Sequence, residues 1–298
     1  MNARLWTLLV ALSVVWGGSF FFVEIALAAF EPLTIVFGRV SLAAVALLIF
    51  VYASGERMPM NVKAWGGFLL MGVLNNVIPF TLIVWGQTRI DSGLASILNA
   101  TTPLFTIVLA HFLTTDERMT MAKTIGIVLG ITGVAVLIGP GALADLGGQV
   151  LGKLAILGAA LSYGFAAIFG RRLSRYPTSV AATGMLIGST VMIAPLMFAF
   201  EHPLQAAPDA YALSAIIAIA LFSTAAAYLM YFHILARAGA TNLALVTFLI
   251  PPTALGLGVV FLDEALTVNA LAGLTLIGLG LAAVDGRLFR RRRSPAKP

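Results

Sequence analysis

The chain has 298 residues, of which 60% are hydrophobic and only 10% are charged, and its mean hydropathy is +1.01. A soluble domain carries about 25% charged residues, so this composition excludes a large soluble domain and predicts an integral membrane protein. The sequence contains no cysteine and its formal charge is +6. Disulfides and Cys-based metal sites are excluded, and we expect no metal, no cofactor and no nucleic-acid partner.

Ten apolar stretches follow one another along the chain, separated by short polar breaks. Each is close to the ~20 residues that a helix needs to cross the hydrocarbon core, whereas strands of a membrane barrel would alternate over about ten residues. We therefore predict an all-α membrane protein with ten transmembrane helices. The predicted spans are Leu5–Leu27, Leu33–Ala53, Ala64–Trp85, Ile90–Leu113, Met121–Ile138, Leu151–Leu173, Val180–Phe200, Tyr211–Leu235, Asn242–Leu262 and Val268–Val284.

The first span has features of a secretory signal, because Arg4 precedes an apolar run that ends near Ala26-Leu27-Ala28. The run is longer than the roughly 7–15 apolar residues of a signal. Cleavage would also leave an odd set of nine spans. We expect a retained transmembrane helix.

Basic residues indicate the orientation of the spans. If the N-terminus is cytoplasmic, Arg89 and Lys153 fall outside, Arg39 lies within span two, and the other Lys and Arg residues fall inside. The positive-inside rule therefore predicts that both termini are cytoplasmic. The basic tail, residues 286–298, is expected to contact anionic lipid at the bilayer surface.

The second half of the sequence repeats features of the first at an offset of 148 residues. Each half holds five spans, an odd number, so the two halves would enter the membrane in opposite directions. Many secondary transporters have this architecture, with the substrate site near the midplane. The alternative is chance similarity among membrane helices. The matched positions are Arg89 with Arg237, Pro103 with Pro251, Asn75-Asn76 with Ser223-Thr224, and Trp16-Gly17 with Tyr163-Gly164 at an offset of 147.

This internal similarity predicts one five-helix repeat over residues 1–140 and an inverted repeat over residues 151–285. The two repeats would surround a central cavity lined by spans one, three, four, six, eight and nine. Swapping the conformations of two similar halves turns an outward cavity inward, so the arrangement favours alternating access.

Prolines within the spans predict four hinge or gating positions. Proline cannot donate the helical hydrogen bond and so frees the carbonyl four residues earlier, which can bind the ammonium of a zwitterion or be re-satisfied by neighbouring helices. The candidate hinges, each with the residue whose carbonyl it frees, are Pro79 (Asn75), Pro103 (Asn99), Pro251 (Thr247) and Pro252 (Phe248).

Aromatic and amide side chains recur within the spans predicted to line the cavity. Aromatic walls with a few amides accept an amphipathic solute of modest size, and the spans lack the Lys and Arg cluster that a sugar phosphate requires. For any one aromatic residue the alternative is packing between helices. The candidate substrate-binding residues are Trp16, Phe20, Asn75, Asn76, Asn99, Tyr163, Thr224 and Tyr228.

Few ionisable groups lie within the spans, where charge is costly. Glu24 and Arg39 are candidates for an ion pair, for contact with lipid headgroups or for a role in transport, and His233 is a candidate for proton coupling. Asp116-Glu117 and Asp263-Glu264 each precede a span. Acidic groups there favour the dipole of the helix that follows, so we expect them to be structural.

Glycines cluster in spans five and ten, where small residues allow helices to pack closely. We expect these two spans to serve packing or weak dimerisation, and the protein to be a monomer or a weak homodimer. The glycines are Gly126, Gly130, Gly133, Gly273, Gly278 and Gly280.

The sequence resembles the drug/metabolite transporter superfamily, in particular its ten-span EamA-type members. The resemblance rests on residues 16–20 (WGGSF), Pro32 followed by Arg39, and Asp-Glu-x-x-Thr before a Gly-rich span in each half. Among these proteins it is most similar to bacterial exporters of amino acids, including aromatic ones, which implies a secondary transporter in the inner membrane. The second half departs from the pattern, with Tyr163-Gly164 for Trp-Gly and Gly184 at the position of Arg39.

Two other functional classes remain as alternatives. An intramembrane enzyme would need a nucleophile and a base, or paired acids, at one depth, and the spans hold no such set. We therefore expect no enzyme and no catalytic residue. A channel would need a ring of charges or a filter motif, and efflux of another metabolite or drug class is the nearer alternative.

Overall fold

The computed structural model describes residues 3–115, 119–139, 147–203, 209–243 and 245–285. Every regular element within these ranges is helical. Within these ranges, eight helical segments are long and apolar enough to cross a membrane, and two shorter apolar helices follow. The predicted all-α membrane fold is confirmed. The Asp116-Glu117 pair and the basic tail 286–298 lie outside the described residues.

The helices follow the predicted spans closely, with a few internal breaks. The largest differences lie between spans eight and nine: the helix predicted to end at Leu235 continues to Leu243, and the helix predicted to begin at Asn242 begins at Val246. The α-helices are α1 Ala3–Leu27, α2 Pro32–Ala53, α3 Val62–Gly72, α4 Ile78–Gln87, α5 Ser92–Asn99, α6 Thr102–Leu113, α7 Met121–Ile138, α8 Gly148–Gly170, α9 Thr178–Phe200, α10 Ala210–Ala220, α11 Ala227–Leu243, α12 Val246–Phe261 and α13 Val268–Asp285.

Spans three and eight are each interrupted by a π-helical turn. These turns cover Val73–Val77, between α3 and α4, and Leu221–Ala226, between α10 and α11. They begin at residues 73 and 221, the same offset at which the sequence repeats. A π turn inserts one extra residue and is frequent at functional sites. The matched turns support the prediction of two related halves.

Glycines let helices from the two halves approach each other closely. A Cβ atom on Gly17 of α1 would lie 2.8 Å from Cβ of Thr253 in α12. A Cβ atom on Gly164 of α8 would lie 3.3 Å from the backbone nitrogen of Thr106 in α6. The glycines of the Trp-Gly and Tyr-Gly pairs therefore seat α1 and α8 against partners from the opposite halves.

The glycines of spans five and ten face each other within one chain. A Cβ on Gly280 of α13 would lie 2.6 Å from the carbonyl oxygen of Gly126 in α7, and a Cβ on Gly133 would lie 3.0 Å from that of Gly273. Gly278 has open space around it. These glycines thus provide the close packing that we predicted, and they do so between α7 and α13.

Acidic side chains bond to the N-terminal ends of helices in the opposite half. We call the end of the bundle with residues 28–31, 88–91 and 262–267 the predicted outer end, and the other the predicted inner end. At the outer end, Glu201 accepts the backbone N–H groups of Leu33 and Thr34, both at 2.7 Å. At the inner end, the hydroxyl of Ser179 bonds to Glu56. The Glu201 contacts satisfy backbone N–H groups that a helix start leaves without partners, whereas the Glu56 contact joins two side chains.

Candidate functional site

A hydrogen-bonded network of amide and hydroxyl groups lies halfway along span three, in the π turn Val73–Val77. Asn75 Nδ2 donates to the hydroxyl of Tyr228 at 2.9 Å, and that hydroxyl donates to Asn76 Oδ1 at 3.2 Å. Asn76 Nδ2 donates in turn to Ser189 Oγ at 3.0 Å. The network therefore joins span three to α9 and α11, which belong to the other half of the chain.

A serine hydroxyl ties each π turn to a neighbouring helix. Ser162 of α8 donates to the carbonyl of Leu74 at 2.7 Å, and Ser223 donates to the carbonyl of Val15 in α1 at 2.8 Å. Both turns are thereby held against the helices that carry Trp16 and Tyr163.

Arg39 is a buried charged group that interacts electrostatically with Tyr228 of this network. Its side chain is only 6% exposed, its Nε donates to Thr224 Oγ1 at 2.9 Å, and its Cζ lies 3.7 Å above the centre of the Phe80 ring. Tyr163 and Tyr228 are near enough to interact with it electrostatically. The structure thus brings Thr224, Tyr163 and Tyr228, three of the predicted binding residues, around one arginine.

Glu24 does not pair with Arg39, although both are described. The Glu24 carboxylate instead accepts a long hydrogen bond of 3.4 Å from Gln87 Nε2, which also donates to the carbonyl of Phe20 at 2.9 Å. The ion pair considered from the sequence is therefore not formed, because the two side chains turn toward different helices. The roles of Glu24 and Arg39 in coupling stay predictions.

The aromatic residues of α1 lie beside the polar network and not within it. The Trp16 ring is half-buried, 5.8 Å from the ring of Tyr231. The Phe20 ring is buried in the apolar core, so packing accounts for its position. Their contribution to substrate binding stays a prediction.

Span four breaks at the point where its sequence combines an amide, two hydroxyls and a proline. Helix α5 ends at Asn99, and α6 begins at Thr102 with Pro103 in its first turn. The carbonyl of Asn99, which Pro103 frees, accepts the Thr102 hydroxyl at 2.8 Å. It is therefore re-satisfied within the helix. The side-chain oxygen of Asn99 is buried without a partner in the described ranges.

The other predicted hinges lie in different surroundings. Pro79 is in the first turn of α4, directly after the π turn, whereas Pro251 and Pro252 lie inside an unbroken α12.

His233, the candidate for proton coupling, lies in α11. Its ring atom Nε2 is buried and, within the described part of the chain, has no hydrogen-bond partner. Gating and proton coupling at these residues remain predictions.

Sequence reasoning missed several polar residues that the structure places at important contacts. Ser189 closes the network described above, and Gln87 links Glu24 to α1. Glu264 was expected to serve its own helix, but its carboxylate accepts the backbone N–H groups of Ser92 at 2.8 Å and Gly93 at 3.0 Å. The position of an acidic residue just before a span indicated that Glu264 interacts with the start of a helix. It did not indicate which helix, and the helix that it contacts, α5, lies in the other half of the chain.

The contact of Glu264 sits beside a small pocket at the predicted outer end, lined in part by Asp91, Leu94 and Leu255. Asp91 precedes α5 and makes no capping hydrogen bond of its own. Partial burial and the negative charge of Glu264 raise the pKa of the Asp91 carboxyl. Across the described residues, no group of three or more His, Asp or Glu side chains is arranged to hold a metal ion.

Comparison with known proteins identifies the family of the chain. The sequence signature of the EamA-like transporter family matches residues 4–139 and 150–284. The chain belongs to the EamA-like transporter family. The two separate matches coincide closely with the predicted halves.

Named relatives match the chain over nearly its whole length. A probable terminal-alkyne amino-acid exporter of Streptantibioticus cattleyicolor is 28% identical over 299 residues, covering 100% of this chain and 98% of its own. The uncharacterized inner membrane transporter YedA of Escherichia coli is 28% identical over 298 residues, covering 97% and 92%. A crystal structure that is 18% identical superposes with a TM-score of 0.70 over 98% of this chain and 100% of its own, which shows the fold alone.

Proposed function

We propose that this EamA-like protein is a secondary transporter that exports small amphipathic metabolites, with amino acids, including aromatic ones, as the substrate class. The observation that carries the proposal is the network of Asn75, Asn76 and Tyr228, which puts uncharged donors and acceptors halfway along a membrane span. Polar groups at this depth usually face a substrate path or a water-filled cavity. The network joins the two halves of the chain, where a transporter built from repeats binds its substrate.

Alternating access of two inverted repeats, residues 1–140 and 151–285, is the proposed mechanism. The matched π turns at 73 and 221 and the family matches to each half support it. Single π turns inside α-helices are frequent at functional sites, and these two lie at matching positions in the two halves.

The proposed location is the bacterial inner membrane, with both termini cytoplasmic. The distribution of Lys and Arg favours this orientation, and the name of the Escherichia coli relative agrees with the membrane. The name of the Streptantibioticus relative supports amino acids as substrates and export as the direction.

Counterflow in proteoliposomes tests the proposal. Vesicles containing the purified protein are loaded with one unlabelled amino acid and diluted into a trace of the same amino acid in labelled form. Transient accumulation of label, absent from protein-free vesicles, is expected for at least one aromatic amino acid. No exchange for any amino acid would refute the substrate class, and a conductance that is independent of solute would favour a channel.

A further inference from the structure

Arg39 carries a charge that has no counter-ion among the residues that the structure describes. Its side chain is 6% exposed, and no carboxylate in the described ranges bonds to it. Its one hydrogen bond there runs from Nε to Thr224, so the two terminal nitrogens of the guanidinium make none. A buried charge without a partner is costly, and arginine does not escape that cost by losing its proton.

The surroundings of Arg39 orient the guanidinium without neutralising it. Thr224 accepts from Nε on one edge, and the ring of Phe80 lies against one face with 3.7 Å between its centre and Cζ. An aromatic face attracts a cation but carries no net charge. The two contacts hold the plane of the guanidinium and leave the edge formed by its terminal nitrogens available.

The available edge matches a carboxylate. Two parallel N–H donors bind the two oxygens of a carboxylate in a bidentate pair, which is among the strongest side-chain interactions. Tyr163 and Tyr228 lie close enough to interact electrostatically with Arg39, and Tyr228 is hydrogen-bonded to the amides of Asn75 and Asn76. A solute anchored at Arg39 would therefore meet neutral polar groups and aromatic rings.

We infer that Arg39 is the receptor for the carboxylate of the transported solute. The selected substrates carry a single carboxylate next to an apolar group, since one guanidinium balances one negative charge. Thr224 is a positioning residue, because it sets the plane in which Arg39 presents its donors. This inference rests on the proposed function and narrows its substrate class.

Three related probes test the inference in the counterflow assay: L-phenylalanine, L-phenylalaninamide and 3-phenylpropionate. The wild type is expected to exchange the two carboxylates and to exclude the amide. Arg39→Gln should lower exchange of both carboxylates by about 10- to 100-fold, the factor expected from loss of hydrogen bonds to a charged group. Arg39→Lys keeps the positive charge but loses the two parallel N–H donors, so it should exchange the carboxylates at an intermediate rate. Thr224→Val should raise KM more than it lowers kcat, because Thr224 positions Arg39.

Arg89→Gln is the matched control. The Cζ atom of Arg89 also lies 3.7 Å above an aromatic ring, that of Trp85, but in the turn before span four, where its side chain bonds to Thr88. This variant should exchange all probes like the wild type. Thermal unfolding of each variant in detergent checks that the fold is retained, and Arg39→Lys carries the test if Arg39→Gln fails to fold.

The outcomes separate the inference from the proposed function. Arg39-dependent exchange of 3-phenylpropionate without exchange of L-phenylalanine would support the carboxylate receptor and refute amino acids as the substrates. Exchange of L-phenylalanine that is unchanged in Arg39→Gln and Arg39→Lys would overturn the inference and leave the proposed function standing. Exchange of the amide as fast as the acid, or of neither carboxylate, would also overturn it.

Discussion

The carboxylate of Glu264 accepts the backbone N–H of Ser92 at 2.8 Å, across 172 residues of chain. Its second oxygen accepts the N–H of Gly93 at 3.0 Å. A Cβ atom at Gly93 would lie 3.0 Å from the same carboxylate, so glycine makes room for it. Asp263, with φ of 55°, turns the chain after α12 and brings Glu264 to this position. One side chain thus ties the start of span four to the end of span nine.

Glu264→Gln should therefore loosen the predicted outer end. The amide retains one acceptor and loses the charge that strengthens both hydrogen bonds, so we expect the free energy of unfolding to fall by about 1–3 kcal/mol. Because the sequence contains no cysteine, a single cysteine at Leu94 can report the change. Its rate of modification by a water-soluble maleimide should rise in the Glu264→Gln background.

The matched control for this prediction is Glu31→Gln. Glu31 is exposed at the same end and precedes α2 without a side-chain capping bond. It should change neither the unfolding free energy nor the modification rate. Equal effects of the two substitutions would contradict a specific role for the Glu264 contact.

Asp91→Asn should stabilise the protein at neutral pH and lose this effect in acid. Burial and the charge of Glu264 raise the pKa of Asp91, so the folded state holds its proton more tightly than the unfolded state. The ionised Asp91 carboxylate therefore destabilises the folded state, and this effect appears as the pH rises from the unfolded-state pKa of about 3.9 through the raised folded-state pKa. Thermal unfolding of both proteins at a series of pH values measures it. A gain in melting temperature that persists below pH 3 would contradict the explanation.

Composition and span length were enough to predict the all-α membrane fold, because the thickness of the hydrocarbon core sets the length of each apolar helix. Pro103 was predicted as a hinge, and span four does break beside it, but Pro251 and Pro252 lie inside an unbroken α12, so a proline does not by itself show where a helix breaks. The π turns were not predicted, since Leu221–Ala226 contains no proline and is held instead by tertiary contacts.

The partners of individual polar groups depend on how the two halves pack, which the sequence does not state. Asn75 and Tyr228 were each predicted as binding residues, but their mutual hydrogen bond joins residues 153 positions apart. The Gly-rich stripes predicted close packing and left open whether the partner was another chain. Glu264 was assigned to the wrong helix for the same reason.

Asn99→Leu should abolish transport and leave the protein folded. The side-chain oxygen of Asn99 is buried and unpartnered within the described residues, whereas its carbonyl is already bonded to Thr102. Removing the amide therefore takes away a group available to a solute and breaks no contact of the helix. Counterflow of L-phenylalanine and thermal unfolding measure the two effects, and uptake kinetics equal to the wild type would return Asn99 to a packing role.

Thr102→Val should impair bending of span four by leaving the Asn99 carbonyl without its hydrogen bond. We expect a loss of about 1–3 kcal/mol in unfolding free energy together with slower counterflow. Thr275→Val is the matched control, because its hydroxyl also bonds to a carbonyl of its own helix but is exposed on α13. If both substitutions have the same effect, the break at Pro103 does not depend on Thr102.

Gly280→Ala should separate α7 from α13. The new Cβ would lie 2.6 Å from the carbonyl oxygen of Gly126 and 3.1 Å from the backbone nitrogen of Gly130, and backbone atoms of a packed helix cannot yield as a side chain can. We expect the free energy of unfolding to fall by about 1–3 kcal/mol, as in other overpacked contacts. Gly278→Ala, two residues earlier on the same helix, meets nothing within 4 Å and should be neutral or stabilising by up to about 1 kcal/mol. Urea or thermal unfolding in a fixed detergent compares the pair, and equal stability of the two variants would show that the glycine contact between the halves is not needed for the fold.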